Sequence, residues 1–381
     1  MRLEIIRNEQ DLRALQPFWD PLLESSATPA PFLRWDWVDL WWAECAADHE
    51  LAVGVVRDSA DIPLAIAPLV IGRGSGARRH LRQLSFLNGI GSLQGERMDF
   101  MVPKEREAEL TPVLCGLFQR LQTEWDVVRL NKVPAESPNY PILLQHLRAA
   151  CRGAGVLNRA ECRFLPLPKS WNDFETKQSG NWRRKMRKRW DTMMAEPGAR
   201  LLQAGQDATS EVLMEEFLRL HALHWPAEVS SFLTESSQRL HRRLAAKWLP
   251  TGRAFLPSIE ANGEIVAGIY GFGSGDELYQ YQLGWDPRYA RLGLGNLSMR
   301  WSIECAMARG FSRYDMLPGD YEYKRSWCES SRFVVDLESF HPRRPRAALF
   351  RALRYLKRRV SARPLPQTFS NLSASAWLPS S

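Results

Sequence analysis

Residues 289–310 read YARLGLGNLSMRWSIECAMARG. Gly293 and Gly295 are separated by one residue, and an amphipathic helical pattern begins directly after them and ends at Gly310. The first N–H groups of a helix have no partner inside it, and the helix dipole adds partial positive charge there. Because glycine has no Cβ, a phosphate can approach those amides closely. The stretch therefore predicts a phosphate-binding loop at the start of a helix.

The residues around this loop alternate between strand and turn patterns. Asn262-Gly263 is the sequence of a type I′ hairpin turn, and GSGD at 273–276 marks a second turn. ELYQYQLGW at 277–285 alternates as a strand does, and FSRYDML at 311–317 reads as a short strand after the helix. The predicted order is three strands, the glycine loop, a helix and a further strand.

The first half of the chain repeats this order in weaker form and without the glycine loop. A hairpin, a short strand, a helix and a strand are predicted at 51–71, 98–102, 107–124 and 125–133. Two copies of one α/β unit, with a boundary near residues 165–180, are the simplest organisation. The length of 381 residues also fits two domains of ordinary size.

The composition is that of a globular protein, with 45% apolar and 25% charged residues. No apolar run reaches the roughly eighteen residues of a membrane span, and the N-terminal segment lacks the pattern of a signal peptide. The six cysteines are dispersed without CxxC spacing, which argues against a disulfide framework or a zinc site. We therefore expect a cytoplasmic protein without a metal. His221 and His224 could share a helix face, but no third ligand is evident.

The glycine stretch resembles the pyrophosphate-binding loop of the GNAT acyltransferases, written Q/R-x-x-G-x-G/A. Gly293 and Gly295 match its glycines, whereas Ala290 stands at the Gln/Arg position, with Arg291 beside it. Three segments resemble more specifically the branch that includes the CelD-like (BioF2-like) acetyltransferases of cellulose biosynthesis and the Fem-type aminoacyltransferases. They are WRRKMRKRW (182–190), GWDPRYARLGLGNL (284–297) and YDMLPGDYEYKRSW (314–327).

This resemblance implies an α/β (α+β) fold of tandem GNAT-like domains, each a mixed, mostly antiparallel sheet flanked by helices. The implied limits are 1–170 for the first domain, 171–340 for the second, which would bind acyl-CoA, and 341–381 for a basic helix and flexible tail. It also implies transfer of an acyl group, in the simplest case acetyl, from acyl-CoA to an amine. The implied donor-binding residues are Leu283, Arg291, Gly293, Leu294, Gly295 and Asn296, with the acyl-pantetheine arm between the strands at 277–285 and 311–317.

The catalytic candidates come from two places. Tyr281 lies on the strand before the loop, where Tyr279 shares its face; packing of both rings in the core is the alternative. Asp320, Tyr323 and Lys324 belong to the Gly-Asp-x-x-Tyr-Lys pattern of the third segment, as a base, a hydroxyl group and a cation for a phosphate or an acidic acceptor. Glu228 is a further candidate base, and the identity of the base stays open. Cys305 is expected in the core.

The net charge of +8 has a local origin, because residues 343–363 hold nine basic residues and no acidic one. RAALFRALRYLKRRV at 346–360 predicts a basic amphipathic helix that docks on the protein's own body, on an anionic membrane or on nucleic acid. Six of the seven residues 183–189 are also basic, which indicates either a solvated helix face or a surface for phosphate or nucleic acid.

Three functions fit these features. The first is a cytoplasmic N-acyltransferase, peripheral to the inner membrane face if the basic helix binds lipid. Its acceptor would be a sugar or another envelope or exopolysaccharide component, as the CelD-like resemblance implies. The second is a Fem-like transferase that takes its acyl group from aminoacyl-tRNA. The third is a non-catalytic scaffold protein with a degenerate site, which the alanine at position 290 keeps open.

Overall fold

The structure, a computed structural model, describes residues 1–89, 93–205, 207–225, 230–319, 321–328 and 330–360; of His224 and residues 355–360 it describes the backbone alone. The first half contains β1 (Arg2–Ile6), α1 (Glu9–Ala14), α2 (Gln16–Ser25), α3 (Trp35–Cys45), β2 (His49–Leu51), β3 (Val53–Arg57), β4 (Pro63–Ala67), β5 (Leu69–Arg73), β6 (Arg82–Phe86), α4 (Glu107–Arg120), β7 (Val127–Pro134), α5 (Asn139–Ala150) and β8 (Arg152–Pro166).

The second half contains α6 (Trp171–Glu175), α7 (Gly180–Met194), β9 (Arg200–Leu202), α8 (Ser210–His224), α9 (Glu235–Trp248), β10 (Ala254–Phe255), β11 (Ser258–Ala261), β12 (Glu264–Ser274), β13 (Glu277–Trp285), α10 (Leu294–Ala308), β14 (Arg313–Pro318), α11 (Glu322–Trp327), β15 (Ser331–Phe340) and α12 (Pro345–Val360). By its internal contacts the chain divides into two compact units. One holds residues 1–160 and the described chain from residue 332, and the other holds residues 161–331. The domain limits at 170 and 340 stay predictions.

The first unit has a three-stranded antiparallel sheet, β1-β3-β4, and a set of strands in the order β2-β5-β6-β7-β15. β6 and β7 are parallel and are joined through α4, whereas the other pairs are antiparallel. The segment 98–102, predicted as a strand, forms only an isolated bridge between Met101 and Ile66. That prediction was wrong because the carboxylate of Asp99 takes the N–H of Phe100, which would otherwise serve a strand ladder.

The second unit has strands in the order β8-β14-β13-β12-β11-β9, with residues 161–166 of β8 at one end. The hairpin at Asn262-Gly263 is confirmed, since both residues have positive φ, 54° and 74°, as a type I′ turn requires. β13 and β14 are parallel and are joined through α10, as β6 and β7 are joined through α4. Both units thus contain a strand–helix–strand crossover as expected of two copies, although in the first unit the crossover begins at β6 and not at the predicted strand 98–102.

Helices pack against β12 and β13 through two separate clusters of side chains. α8, α9 and the 3-10 turn Ser231–Leu233 before α9 contribute an aromatic cluster in which Phe217, Phe232 and His241 surround Tyr270 of β12. α10 and α7 contribute an apolar cluster with buried Met186, Leu297 and Ile303. Gly284 of β13 lies so close to α8 that a Cβ there would come within 2.9 Å of the His221 backbone nitrogen. The strand can therefore lie directly against α8 at this point.

The predicted C-terminal helix is confirmed as α12. Its buried Ala347 and half-buried Phe350 pack on Leu81, Val127 and Phe340 of the first unit, and Arg354 forms an ion pair with buried Glu338. Helix α12 thus docks on its own unit along one side. Its Leu349 and Leu353 remain 62% and 56% exposed. Among the described helices, none has the length and apolar character needed to cross a bilayer.

Candidate functional site

The glycine loop joins β13 to α10 as the sequence predicts. A 3-10 turn over Pro287–Leu292 ends at Gly293, which adopts the left-handed conformation with φ 68° and ψ 45°. α10 begins at the next residue, and its first residues, Leu294 and Gly295, are buried. The N–H groups of Leu294 and Gly295 precede the first intrahelical hydrogen bonds, whereas the N–H of Asn296 donates to the Gly293 carbonyl at 3.0 Å. The left-handed glycine therefore turns the chain so that a helix N-terminus follows immediately, as a phosphate cradle requires.

A basic side chain that the sequence did not single out lies against this loop. A Cβ placed on Gly293 would be 3.1 Å from Nε, 3.2 Å from Cζ and 3.3 Å from Cδ of Arg189 in α7. Within the ranges that the structure describes, no carboxylate forms an ion pair with Arg189. The sequence signal was only the basic run at 183–189, which does not reveal which cation faces the loop.

Arg291, expected to support the loop, is differently placed. Its guanidinium binds Glu196 at 2.7 Å, and its side chain is 66% exposed. Ala290, at the position where the resemblance expects Gln or Arg, is also exposed. The cation that contacts the glycine in this structure therefore comes from α7.

β13 and β14, the two strands that the glycine loop and α10 connect, separate along their length. Their parallel pairing covers only three residue pairs, from Glu277–Arg313 to Tyr279–Asp315. Beyond these pairs β13 continues to Trp285 along β12, with Leu283 opposite Ile269. The exposed backbone edge of β13 can accept an extended chain on the side that β14 leaves, by the same hydrogen bonds that a strand makes.

Tyr281 lies in the separated part of β13, at an irregularity in the sheet. Tyr270 is paired with Gln282 and Gly271 with Gln280, so Tyr281 is the extra residue of a β-bulge. Its ring lies 5.3 Å from that of His241 and 5.4 Å from that of Phe272. Burial, with a smaller contribution from His221, lowers the pKa of His241 to about 3, so the imidazole beside Tyr281 is neutral at neutral pH.

The end of β14 has an unusual backbone. Leu317 has a φ of 57°, which a non-glycine residue seldom adopts, and Gly319 has a φ of 131°. The buried carboxylate of Asp315 accepts the N–H of Leu317 at 2.6 Å. Strained backbone of this kind is concentrated at functional sites. Asp320, the candidate base, lies outside the described residues, as does Glu228.

Lys324 of α11 stabilises this strained turn. The side chain is 3% exposed, and its ammonium donates to the carbonyl oxygens of Met316, Leu317 and Pro318 at 2.7, 3.0 and 3.2 Å. These bonds direct the charge to the backbone of β14. The geometry gives Lys324 a positioning role here, which differs from the expected role of neutralising a bound anion.

Tyr323 lies one residue earlier on the same short helix and is half-buried. Burial raises the pKa of its hydroxyl, neighbouring Tyr321 raises it further, and a hydrogen bond with the Gln280 side chain of β13 opposes the rise. The hydroxyl is therefore protonated at neutral pH and reaches the strand that carries Tyr281. Tyr323 thus brings a proton donor to the separated strands.

Two further residues that the sequence analysis named, Cys305 and His221, pack inside the protein. Cys305 is buried, and burial raises the pKa of its thiol to about 12, so it does not act as a thiolate. His221 packs on Phe232, and its Nε2 shares a hydrogen bond with Ser230 at 2.9 Å. In the part of the chain that is described, no group of three His, Cys, Asp or Glu residues could hold a metal ion.

Comparison with known proteins agrees with this geometry. Residues 180–325 match the family model for an acetyltransferase (GNAT) domain. The fold is similar to that of FemX, with a TM-score of 0.60 and 11% identity over 93% of this chain and 99% of that one. It is also similar to a conserved protein of unknown function from Bacteroides thetaiotaomicron, with a TM-score of 0.53 and 14% identity over 88% and 99%. A tandem GNAT protein of the clavulanic acid pathway has a TM-score of 0.47 and 11% identity over 90% and 100%.

The chain matches no curated protein sequence. The family match covers the glycine loop, the separated strands, helices α7 and α10 and the first four residues of α11. It lies within the second unit, whose strand–helix–strand crossover carries the loop. Residues 180–325 thus carry an acetyltransferase domain of the GNAT type, with the fold of an acyltransferase.

Proposed function

We propose that the protein transfers an acyl group, in the simplest case acetyl, from acyl-CoA to the amine of a small acceptor. One observation carries this proposal: the left-handed Gly293 starts α10 in the crossover between β13 and β14, and these two strands separate after three residue pairs. A donor with a diphosphate and an extended thioester arm fits these two features together. The amides of Leu294 and Gly295 face the phosphates, beside Asn296, whose N–H also donates to the Gly293 carbonyl, and the backbone of β13 near Leu283 binds the arm.

The chemistry then requires three proton and charge movements. The amine nitrogen attacks the thioester carbonyl carbon, and the carbon–sulfur bond breaks as the tetrahedral intermediate collapses. A backbone N–H of β13 stabilises the oxyanion. The departing thiolate takes a proton from a tyrosine hydroxyl, for which Tyr323 and Tyr281 are the candidates, and the amine loses a proton to a base. Asp320 remains our candidate for that base, and Lys324 holds the turn that carries it.

The acceptor class follows from the CelD-like resemblance of the three motif segments. We propose an amino sugar or another envelope or exopolysaccharide component that carries a free amine. The strained turn at Leu317–Gly319 lies at the end of β14 next to the separated strands, so it is suited to line the acceptor side of the reaction centre.

A Fem-like reaction with aminoacyl-tRNA is the second candidate function. It is favoured by the basic surface of α7, where five cationic side chains are exposed: Arg183, Arg184, Lys185, Arg187 and Lys188. Such a surface can bind the phosphates of a nucleic acid, with an affinity that falls steeply with salt. The intact glycine loop favours the acyl-CoA donor, because a tRNA donor has no diphosphate to place there.

We also propose that α12 brings the protein to an anionic membrane surface. Leu349 and Leu353 are neighbours on the exposed side of the helix, opposite the side that docks on the first unit. The segment around them has nine basic residues and no acidic one. Exposed leucines between cations match the interface of anionic lipids.

Calorimetric titration with acetyl-CoA tests the donor. Wild-type protein should bind with a micromolar dissociation constant, and Gly295→Trp should abolish binding, because the indole would fill the cradle at the start of α10. Gly180→Trp is the control, since a side chain at Gly180 meets no atom within 4 Å. Circular dichroism should confirm that both variants are folded. Salt-sensitive binding of charged tRNA without binding of acetyl-CoA would support the Fem-like function instead. Binding of neither would leave the scaffold role.

A further inference from the structure

We infer that Arg189 of α7 is the side chain that binds the diphosphate of the donor, in place of the Gln or Arg that the loop lacks at Ala290. This inference rests on the proposed function, because it takes the acyl-CoA donor as given. It adds to that function a residue outside the loop motif, about a hundred positions earlier in the sequence. The argument depends on where α7 is held, on the surroundings of each cation and on the chemistry of guanidinium groups.

Helix α7 is fixed against the loop and its helix by several contacts. Met186 and Met193 are buried in the apolar cluster shared with α10. The guanidinium of Arg300 in α10 lies 3.8 Å from the ring centroid of Trp190, and Trp182 packs edge-on against Trp327 of α11 at 5.5 Å. Position 189 therefore stays beside the glycine loop, whereas positions 187 and 188 face solvent.

The other nearby arginines are not available in the same way. Arg291 is held by Glu196 at 2.7 Å, and Arg187 lies 3.9 Å from Glu175. Arg189 is half-buried and pressed against Gly293, and no carboxylate of the described residues neutralises it. A half-buried guanidinium next to a helix N-terminus creates positive potential from two sources at one point. A diphosphate can accept hydrogen bonds from the guanidinium and from the helix N–H groups at the same time.

Arginine suits this position better than lysine does. Its planar guanidinium presents N–H groups in a fixed fork that matches two phosphate oxygens at once, whereas lysine offers a point charge. Gly293 is then required for two reasons: its left-handed φ, and the space that the Arg189 side chain occupies. The contact between Arg189 and Gly293 explains how a loop with alanine at position 290 can retain affinity for a diphosphate.

The test compares two donors and two neighbouring substitutions. Acetyl-CoA carries the diphosphate and acetylpantetheine does not, so only the dissociation constant of acetyl-CoA should depend on Arg189. We expect Arg189→Gln to raise the dissociation constant of acetyl-CoA by about ten- to a hundredfold, as loss of a charged hydrogen-bonding partner implies. The affinity for acetylpantetheine should stay the same. Lys188→Gln removes an equal charge one residue away and should change the acetyl-CoA constant less than about threefold. Arg189→Lys should give an intermediate value.

Three results would overturn the inference. They are an unchanged acetyl-CoA constant in Arg189→Gln, an equal effect of Lys188→Gln, or an equal weakening of acetylpantetheine. In each of these cases wild-type protein still binds acetyl-CoA, so the proposed function stands. If wild-type protein itself does not bind acetyl-CoA, the proposed function falls and the role of Arg189 falls with it.

Discussion

At the scale of single residues, Tyr323 places a protonated hydroxyl beside β13, where it hydrogen-bonds with the Gln280 side chain. We expect Tyr323→Phe to lower kcat by about a hundredfold, because general-acid catalysis contributes that much or more, while acetyl-CoA affinity stays the same. The rate of thiol release from acetyl-CoA, with an amine that the enzyme accepts and at varied acetyl-CoA concentration, measures kcat and the dependence on acetyl-CoA. Tyr321→Phe is the matched control, since Tyr321 is a 44% exposed neighbour on the same segment. Full activity of Tyr323→Phe would leave Tyr281 as the candidate acid.

Asp99 is a buried carboxyl that no cation neutralises within the described residues around it. Thr28 and Ser137 donate to one oxygen, and Asn139 and the Phe100 N–H donate to the other. Burial still outweighs these bonds and raises its pKa to about 6. Asp99 therefore lies inside the first unit and not in an open cleft.

The raised pKa has a definite sign for stability. Folding disfavours the ionised carboxyl. The contribution of Asp99 to the stability of the folded protein is therefore fully present below the ordinary pKa of an aspartate and is lost as pH rises through about 6. Asp99→Asn removes this loss. Relative to wild type, the free energy of unfolding of the variant should be larger at pH 8 than at pH 4.5 by on the order of 2–3 kcal/mol, so that the variant is the relatively more stable protein at pH 8. Urea unfolding at the two pH values measures it, and a constant difference would contradict the assignment.

At the scale of elements, α11 and β14 are joined through one buried ammonium. Lys324→Met leaves the carbonyls of Met316, Leu317 and Pro318 without their donor. We expect the free energy of unfolding to fall by about 2–4 kcal/mol, since hydrogen bonds to charged groups are worth more than neutral ones. Arg325→Met removes an exposed cation from the same helix and should have a much smaller effect, since exposed ion pairs contribute about 0–1 kcal/mol. Unchanged stability of Lys324→Met with lost turnover would instead restore a catalytic role.

Elements with strong local signals could be predicted from the sequence. The turn at Asn262-Gly263, the glycine loop and helix α10 up to Gly310 all follow from residues close in sequence. The bulge at Tyr281 could not be predicted, because it depends on the register between β12 and β13. The position of Arg189 could not be predicted either. It depends on how α7 packs on α10, and the six basic residues within 183–189 carry no sequence signal that distinguishes one from another.

The same limit applies to the Gly-Asp-x-x-Tyr-Lys pattern. The resemblance identified Lys324 as a functional position, but a pattern of residue types does not show which way a side chain turns. The three carbonyls at the end of β14 attract the ammonium because the strained turn leaves them pointing together. The sequence pattern therefore identified the element, whereas the contacts of its lysine depend on packing that the pattern does not contain.

At the scale of the whole molecule, charge and exposed apolar surface coincide at α12. Ala347, Phe350 and Arg354 bind the helix to its unit, which fixes Leu349 and Leu353 on the outside. A leucine that enters a lipid interface gains on the order of 2 kcal/mol, and each nearby cation adds about 1 kcal/mol on an anionic surface. The full chain should therefore sediment with vesicles of phosphatidylcholine and phosphatidylglycerol, and not with phosphatidylcholine alone.

The side of the helix can be tested with a matched pair of substitutions. Leu353→Glu places a carboxylate on the exposed leucine stripe and should weaken vesicle binding by at least tenfold. Ala348→Glu adds the same charge to an exposed position about a quarter turn or more away from the stripe, so it should retain most of the binding. Binding should also fall as salt rises, because the attraction of the cations is screened. Equal loss in both variants would show attraction by charge without insertion, whereas binding to neutral vesicles would show insertion without charge. Only the combination of a leucine-specific and a salt-sensitive response matches a helix that lies in an anionic interface with its other side bound to the protein.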